Sequence, residues 1–598
     1  MRFIKEKREK IIIIVALLLS VLLRIQNLWF PIGADVHSFR QTQTAITIQN
    51  FFNDGYRLLE YETPVLGQPW RVPLEFPIYQ SVVYFVMKIL HKTNIDVWCR
   101  LVSLCAFYLS VFFLKKTLDF FFEKKSVYCI CFVYLFAPFT IIWSRAALID
   151  YMSVLFALIY TWGLYAWLAE GKKTWMIALL FGCLGYLQKA TTMFAFVFFL
   201  AYVILYYFYR QIVNQYKQIT IHTILEYVKN NKTRIIALAL LCVLPVIPGL
   251  CWTKYADIVK EQSVYTRGLT SEALHSWNYG TLEQKLSVMD WRVIWQRLTD
   301  YIGGIPVCLG LVWLSAKSKR SQRMGICCFV VIILTIFILF NLFYRHDYYM
   351  IMLTPFLSVV YGLMILGSIE RLSAIKHVGA VLNVVFVITF ICIQMETNEH
   401  YLQYAMKMEA RGSEAGWLVA SGHYLGSITN PDERIVIQGE DWSSAILYYA
   451  DRKGMMVIDE GQGTEEFFET FLAEENYTTL MTHSIDFAAA LAEHYEVLVQ
   501  YACPLDDISV YKFYQKMPLN QGNLIKIKYS NNIEEPLTVG IEFISVDGNS
   551  YYNTINLLAD KDEIYYNIED YCGEDDFLEK MQSILIDAPE GVQVSVEY

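Results

Sequence analysis

No CxxC or HExxH spacing occurs in the sequence, which removes the common zinc-binding frameworks. No cluster of lysine and arginine marks a nucleic-acid face. Most of the 13 cysteines lie inside apolar runs, at Cys105, Cys129, Cys131, Cys183, Cys242, Cys327, Cys328 and Cys392, where they act as small hydrophobes and not as a disulfide framework. Only Cys503 and Cys572 fall in the polar C-terminal part, so a bridge between them is left open. The first apolar stretch, Ile11 to Phe30 behind Lys5, Lys7, Arg8 and Lys10, lacks a small-residue cleavage site. At about 20 residues it predicts a first membrane helix and not a signal peptide.

What the sequence has in abundance is apolar surface. Of its 598 residues, 55% are hydrophobic and 16% aromatic, with a mean hydropathy of +0.34, too apolar for an ordinary soluble multidomain chain. The net charge of −9 says little, because the acidic residues concentrate in the last third. Further apolar spans run at about Leu101 to Leu118, Val127 to Trp143, Ala147 to Leu168, Trp175 to Gln188, Met193 to Tyr209, Ile235 to Trp252, Tyr301 to Leu314, Met324 to Phe343, Met350 to Ile369 and Val378 to Ile393. They predict a polytopic α-helical membrane protein with about 11 transmembrane helices.

Alternate loops carry Lys115, Lys116, Lys124 and Lys125, then Lys172 and Lys173, then Arg210, Lys217, Lys229, Lys232 and Arg234, then Lys317, Lys319, Arg320 and Arg323, then Arg371 and Lys376. If each span crosses once, these fall on the side of the basic N-terminus, which the positive-inside rule makes cytoplasmic. The expected setting is the plasma membrane, multi-pass, with the C-terminal domains extracytoplasmic. The outer side receives the long first loop, residues 31–97, in which Phe76 to Leu90 reads as an interfacial helix.

After Met395 the composition turns soluble. Strand-like runs at Arg434 to Gln438, Met455 to Ile458, Thr478 to Met481 and Glu496 to Gln500 alternate with helix-like Trp442 to Asp451, Glu465 to Ala473 and Asp486 to His494, predicting an α/β domain over 396–516. Short alternating runs at Leu524 to Tyr529, Leu537 to Phe543 and Val592 to Glu597, with an Asp547-Gly548-Asn549 turn, predict a β-sandwich-like appendage over 517–598. Residues 1–395 form the expected transmembrane catalytic domain.

Ionisable residues recur where spans meet the outer surface. Each costs about 2.5–3.5 kcal/mol if forced to mid-membrane, so their recurrence points to a shared polar site. Asp35 stands in Gly33-Ala34-Asp35-Val36-His37-Ser38-Phe39-Arg40-Gln41, and Glu75 opens Glu75-Phe76-Pro77. Ser144-Arg145 precedes Asp150 at a helix start, Lys189 sits between two short spans in Leu187-Gln188-Lys189, and Tyr344-Arg345-His346-Asp347-Tyr348-Tyr349 precedes a later span. Blander readings stand beside these: Arg40 and Arg145 suit lipid-headgroup anchors, Glu75 a helix cap, Lys189 a hairpin anchor, and His346 an interfacial residue satisfied by backbone. The aromatic residues at span ends read as an interfacial belt.

In order and placement these motifs resemble the GT-C glycosyltransferase superfamily, in its branch of protein O-mannosyltransferases and aminoarabinose transferases, over roughly Ile11 to Ile369. The resemblance implies an enzyme that moves a sugar from a polyprenyl-phosphate donor to a surface acceptor, whether glycolipid, wall polymer, glycan or protein, on the outer face. It implies a first-loop aspartate as base or metal partner, and basic and tyrosyl groups on the lipid-linked phosphate. Carried across, Asp35, Glu75 and Asp150 are the candidate catalytic carboxylates, with Asp35 as base, since an acceptor hydroxyl must lose its proton. Arg40, Arg145, Lys189, Arg345, His346, Tyr348 and Tyr349 are the candidate phosphate-binding groups. Because three carboxylates repel an anionic donor, either a divalent metal ion or neighbouring arginines must balance them. The metal reading draws on Asp35, Glu75 and His275. The other function class is a transporter or flippase with a displayed domain. Such proteins place charges near mid-membrane and repeat their halves, whereas here charges gather at one surface and no repeat is visible.

Overall fold

The computed structural model describes residues 2–26, 28–304, 307–308, 311, 319–410, 415–439, 441–457, 477–482, 484, 495–502, 509–515, 524–529, 536–545, 550–558, 563–567, 581–587, 592 and 594–597. The chain forms two compact units, one of residues 1–62 and 71–413 and the other of residues 63–70 and 414–598.

The first unit is helical. It opens with α1 (Arg2–Ile25), α2 (Ser38–Asn53), α3 (Ile78–Ile89), α4 (Ile95–Leu118), α5 (Lys124–Phe136), α6 (Pro138–Trp143), α7 (Asp150–Glu170) and α8 (Trp175–Tyr216). Among the described residues, six helices are long and apolar enough to cross a membrane: Ile95–Leu118, Asp150–Glu170, Trp175–Tyr216, Lys232–Lys260, Asp347–Ser373 and Gly379–Thr397. On Gly379–Thr397 the apolar Val381, Val384 and Ile388 are exposed, the surface a lipid solvent would cover. α7 is buried along most of its length and packs between α4 and α8. The helix Thr354–Ser373 lies against α5, where Gly362 is required: a Cβ there would stand 2.8 Å from the Ile130 Cα.

Two expected spans are broken, each for a local reason. The run Val127 to Trp143 divides into α5 and α6 because Ala137, preceding Pro138, leaves the helical region at ψ 131°. Trp175 to Gln188 and Met193 to Tyr209 appear as α8, interrupted at Lys189 with φ −164° and ψ 92°. A Cβ on Gly185 would lie 2.8 Å from the Met193 sulfur, a contact that eight residues of straight helix could not make, so the chain reverses at Lys189. Half of the span Tyr301 to Leu314 lies outside the described residues. The last helix of this unit, Gly379–Ala410, continues beyond the expected boundary at residue 395.

Arg24, near the end of α1, is fully buried and has no carboxylate partner among the described residues. It donates to Ser144 Oγ at 2.7 Å, Ser20 Oγ at 2.7 Å and Leu135 O at 2.8 Å, and its guanidinium stacks 4.3 Å from the Phe107 ring centroid. These acceptors fasten α1 to the carbonyl left free where α5 ends and to the turn that precedes α7.

The second unit contains β1 (Arg434–Gln438), β2 (Gly454–Val457), β3 (Tyr477–Thr482), β4 (Tyr495–Ala502) and β5 (Ser509–Gln515) in one sheet of order β2-β1-β3-β5-β4. β1 runs parallel to β2 and β3, while β5 is antiparallel to β3 and β4. The sequence reading did not foresee β5, and the expected helices Glu465 to Ala473 and Asp486 to His494 lie outside the described residues. Residues 63–70, part of the first loop by sequence, belong to this unit: Gly454 N donates to Pro64 O at 3.2 Å and Met456 N to Val65 O at 2.8 Å, adding an edge segment to β2.

Beyond it, β6 (Leu524–Tyr529), β7 (Leu537–Ser545), β8 (Ser550–Leu557), β9 (Glu563–Asn567), β10 (Met581–Asp587) and β11 (Val594–Glu597) form two antiparallel three-stranded sheets, β10-β7-β8 and β11-β6-β9. Alternate residues Val539, Ile541 and Phe543 of β7 meet Ile527 of β6 and Ile564 of β9 in one core. This is the period-2 signature of two sheets packed face to face. The possible Cys503–Cys572 bridge lies outside the described residues.

Candidate active site

The site is built where the helices of the first unit end on the Asp35 side. After α1 the chain makes a short turn, Ile32–Ala34, and is clamped to the start of α4: Ile32 N donates to Asp96 Oδ2 at 3.1 Å, and Arg100 Nη2 to Phe30 O at 3.2 Å. Asp35 is 8% exposed, and both carboxylate oxygens are engaged. Oδ2 accepts from the buried Arg100 Nη1 at 2.6 Å and Oδ1 from Val36 N at 2.8 Å. Burial alone would raise this carboxyl; the Arg100 guanidinium, with Arg145 behind it, more than reverses that and holds Asp35 below the ordinary carboxylate range.

His37 follows in a left-handed conformation, φ 52°, which costs a non-glycine residue about 1–3 kcal/mol. The twist brings its Nε2 to 2.7 Å from Asp347 Oδ1 and its ring to within 5.4 Å of Trp143 and 5.3 Å of Tyr348. α2 then carries Arg40 and Gln41. Gln41 joins the loop to the turn before α7, donating to Val36 O at 2.7 Å and accepting from Ala147 N at 2.8 Å.

Arg40 meets both Glu75 oxygens at 2.5 Å. Burial raises Glu75, but Arg40 and then Lys189 lower it to a net value below its ordinary one. The Glu75 backbone is fixed by Tyr61, whose hydroxyl donates to Glu75 O at 2.9 Å and accepts from Leu74 N at 2.7 Å. The next residues tie this step to the α8 reversal: Phe76 N donates to Leu187 O at 3.3 Å and Tyr79 N to Gln188 Oε1 at 3.0 Å. Lys189, at the reversal, pairs with Asp150 at 2.7 Å, both nearly fully buried. Its ammonium also stands 4.6 Å from the Tyr349 ring centroid and 5.4 Å from that of Tyr348.

Most of the residues singled out by sequence are thus brought together, with several changes of role. Of Arg145 and Asp150 only Asp150 stands at the helix start, because residues 145–149 form a turn and α7 begins at Asp150. Arg145 instead donates to Gln26 O at 2.5 Å, on the Asp35 side, while Asp150 faces Lys189. His346 is no cation at neutral pH. Burial, then the neighbouring His37 and Arg297, press its imidazole down to about 4. Arg345 is exposed, its guanidinium 5.8 Å from the Trp277 ring centroid. His275 is exposed too and packs on Tyr279 at 4.8 Å.

The metal reading does not fit these residues. Asp35 is taken by Arg100 and Glu75 by Arg40, and among the described residues no group of three or more His, Cys, Asp or Glu is arranged to hold a metal ion. Of the two ways to balance the carboxylates, arginine and lysine fill that role here. Sequence reasoning missed Arg100, hidden inside a helix, and the His37–Asp347 pair, whose members are 310 residues apart in the chain. The left-handed His37 has no signature in one sequence.

No family model matches the sequence, and no curated protein is similar to it in sequence. Among solved structures, the chain is similar to ArnT from Cupriavidus metallidurans bound to undecaprenyl phosphate, with a TM-score of 0.53 at 11% identity over 83% of this chain and 97% of that one. The apo state of that protein gives a TM-score of 0.49 at 12% identity over 84% and 98%. The Archaeoglobus fulgidus oligosaccharyltransferase AglB, in complex with an inhibitory peptide and a dolichol-phosphate, gives 0.48 at 9% identity over 98% and 97%. The likeness to ArnT shows a shared fold, and that fold is the GT-C fold.

Proposed function

We propose that the chain is a membrane glycosyltransferase that moves a sugar from a polyprenyl-phosphate donor to a cell-surface acceptor at the outer face. The observation that carries this reading is the Arg40–Glu75 pair beside Lys189, Tyr348 and Tyr349: a partly exposed carboxylate whose cations also suit a phosphate. The GT-C fold shared with a protein that binds undecaprenyl phosphate supports a lipid-linked donor.

In the proposed step the donor phosphate draws on Arg40 and Lys189, loosening Arg40 from Glu75. The freed Glu75 carboxylate takes the proton of the acceptor hydroxyl as its oxygen bonds to the anomeric carbon. The bond from that carbon to the phosphate oxygen breaks, and its electron pair leaves with the polyprenyl phosphate. Lys189 and Arg40 stabilise the charge that develops there. Glu75 takes precedence over Asp35 as base because its side chain is 26% exposed against 8%, and because Arg100 and Val36 already occupy both Asp35 oxygens. Asp35 is then a positioning residue, holding the loop that carries His37 and Arg40.

A transporter reading finds little support. The paired charges gather where helices end and not at mid-membrane, as substrate pathways require. The test is to incubate the purified chain with labelled polyprenyl-phosphate sugars and acceptor membranes, following donor consumption with wild type and with Glu75→Gln. Consumption of one donor by the wild type alone supports the reading; consumption of none rejects it.

A further inference from the structure

The other end of the same helices holds a second feature that sugar transfer does not use. Between α7, the second arm of α8 and the helix Lys319–Ile338 lies a cavity of about 570 Å³. Arg210 is 21 residues beyond Lys189, about 30 Å along a helix and therefore about one bilayer core away from the acidic site.

The cavity combines two chemistries. Tyr165 packs against Phe121 at 4.8 Å and Phe120 at 5.1 Å, with Tyr207 at 6.5 Å, while Tyr202 and Tyr206 lie parallel at 6.2 Å and 8°. Arg210 and Arg323 also line it, and both are exposed. Among the described lining residues there is no carboxylate, and neither guanidinium has an acidic partner among the described residues. This is the opposite of the first site, where Asp35, Glu75 and Asp150 are each paired with an arginine or a lysine. Two unpaired guanidiniums beside phenol hydroxyls suit the oxygens of a phosphate.

The surroundings point to a lipid as the bearer of that phosphate. On the same arm of α8, next to Tyr206 and Arg210, Leu205 is 69% exposed and Tyr209 51% exposed. On a helix apolar enough to cross a membrane, that stripe meets acyl chains. A headgroup seated between the arginines would lay its tails along it. Of the basic residues that precede it in the chain, Lys115 is paired with Asp119 and Lys124 with Glu9, while Lys116 and Lys125 add the attraction that an anionic leaflet exerts on basic segments.

We propose that this cavity binds the phosphate headgroup of an anionic membrane lipid in the leaflet opposite the acidic site. The site is independent of sugar transfer, and its failure would leave the proposed activity untouched.

Native mass spectrometry of the full chain, titrated in detergent with dioleoylphosphatidylglycerol or dioleoylphosphatidylcholine, tests it. The phosphatidylglycerol should be retained at least about tenfold more tightly by the wild type than by R210Q/R323Q, because both charged hydrogen-bond donors to the headgroup are lost. The R210K/R323K variant, which keeps both charges, should retain at least half of the binding, and Glu75→Gln all of it. Equal retention of phosphatidylcholine, or undiminished phosphatidylglycerol binding by R210Q/R323Q, would overturn the proposal. Displacement of the lipid by millimolar inorganic phosphate would also overturn it, assigning the cavity to a soluble ligand.

Discussion

At one end of α7 and α8, charged groups are buried and paired; at the other, two arginines stand exposed with no acidic partner among the described residues. Asp150 and Lys189 are 2% and 4% exposed and bonded to each other, whereas Arg210 and Arg323 face an open cavity. The difference follows from solvation. A charge withdrawn from water needs a fixed partner, so the buried end is a preorganised network. A charge left at the membrane surface can wait for a ligand. The two ends should therefore respond differently to substitution.

The largest effect should come from Glu75→Gln, which removes the proposed base. Donor consumption should fall about 10²- to 10⁴-fold, with donor binding retained in a filter or thermal-shift assay. Full activity in this variant would return the role to Asp35.

Next is the Asp150–Lys189 pair. Asp150→Asn or Lys189→Met alone should lower stability by about 3–5 kcal/mol by stranding one buried charge, and the double variant should cost less than the two singles summed. Thermal unfolding in detergent reads this; additivity would mean that the pair is not coupled.

Arg40→Gln should raise the KM for the donor about tenfold, the charged hydrogen bond being worth about 1.5–3 kcal/mol. A pure kcat loss would place Arg40 away from the donor.

The smallest effect is the pH response of His346. Its imidazole titrates near 4 in the folded chain against an ordinary 6.5, so between these values the unfolded chain binds a proton that the folded chain refuses. Stability should fall as pH drops from 6.5 toward 4, and His346→Gln should flatten that slope. An unchanged slope would show that other groups govern it.

The order of the motifs made much of the site legible, because an Asp, Glu or Lys at the end of an apolar span stands out against its surroundings. Glu75-Phe76-Pro77 and Leu187-Gln188-Lys189 could be read this way, and the structure joins them through Tyr79 and Gln188. Partnerships could not be read: nothing local links Asp35 to Arg100, 65 residues on, or Arg24 to Ser144. α2 was missed because it buries polar Gln41, Thr44 and Thr47 together with Ala45, Ile48 and Phe51, so that no continuous apolar run marks it in the sequence. The Arg434–Gln438 strand announced itself by composition. The segment 63–70, paired through its backbone to β2, carries no such signal.

The most direct test of the account follows a labelled polyprenyl-phosphate sugar on the purified chain and measures release of the polyprenyl phosphate when an acceptor is supplied. The account predicts release by the wild type and near-complete loss in Glu75→Gln, with the donor still bound. Equal release from both, or none with any donor in the panel, would contradict it.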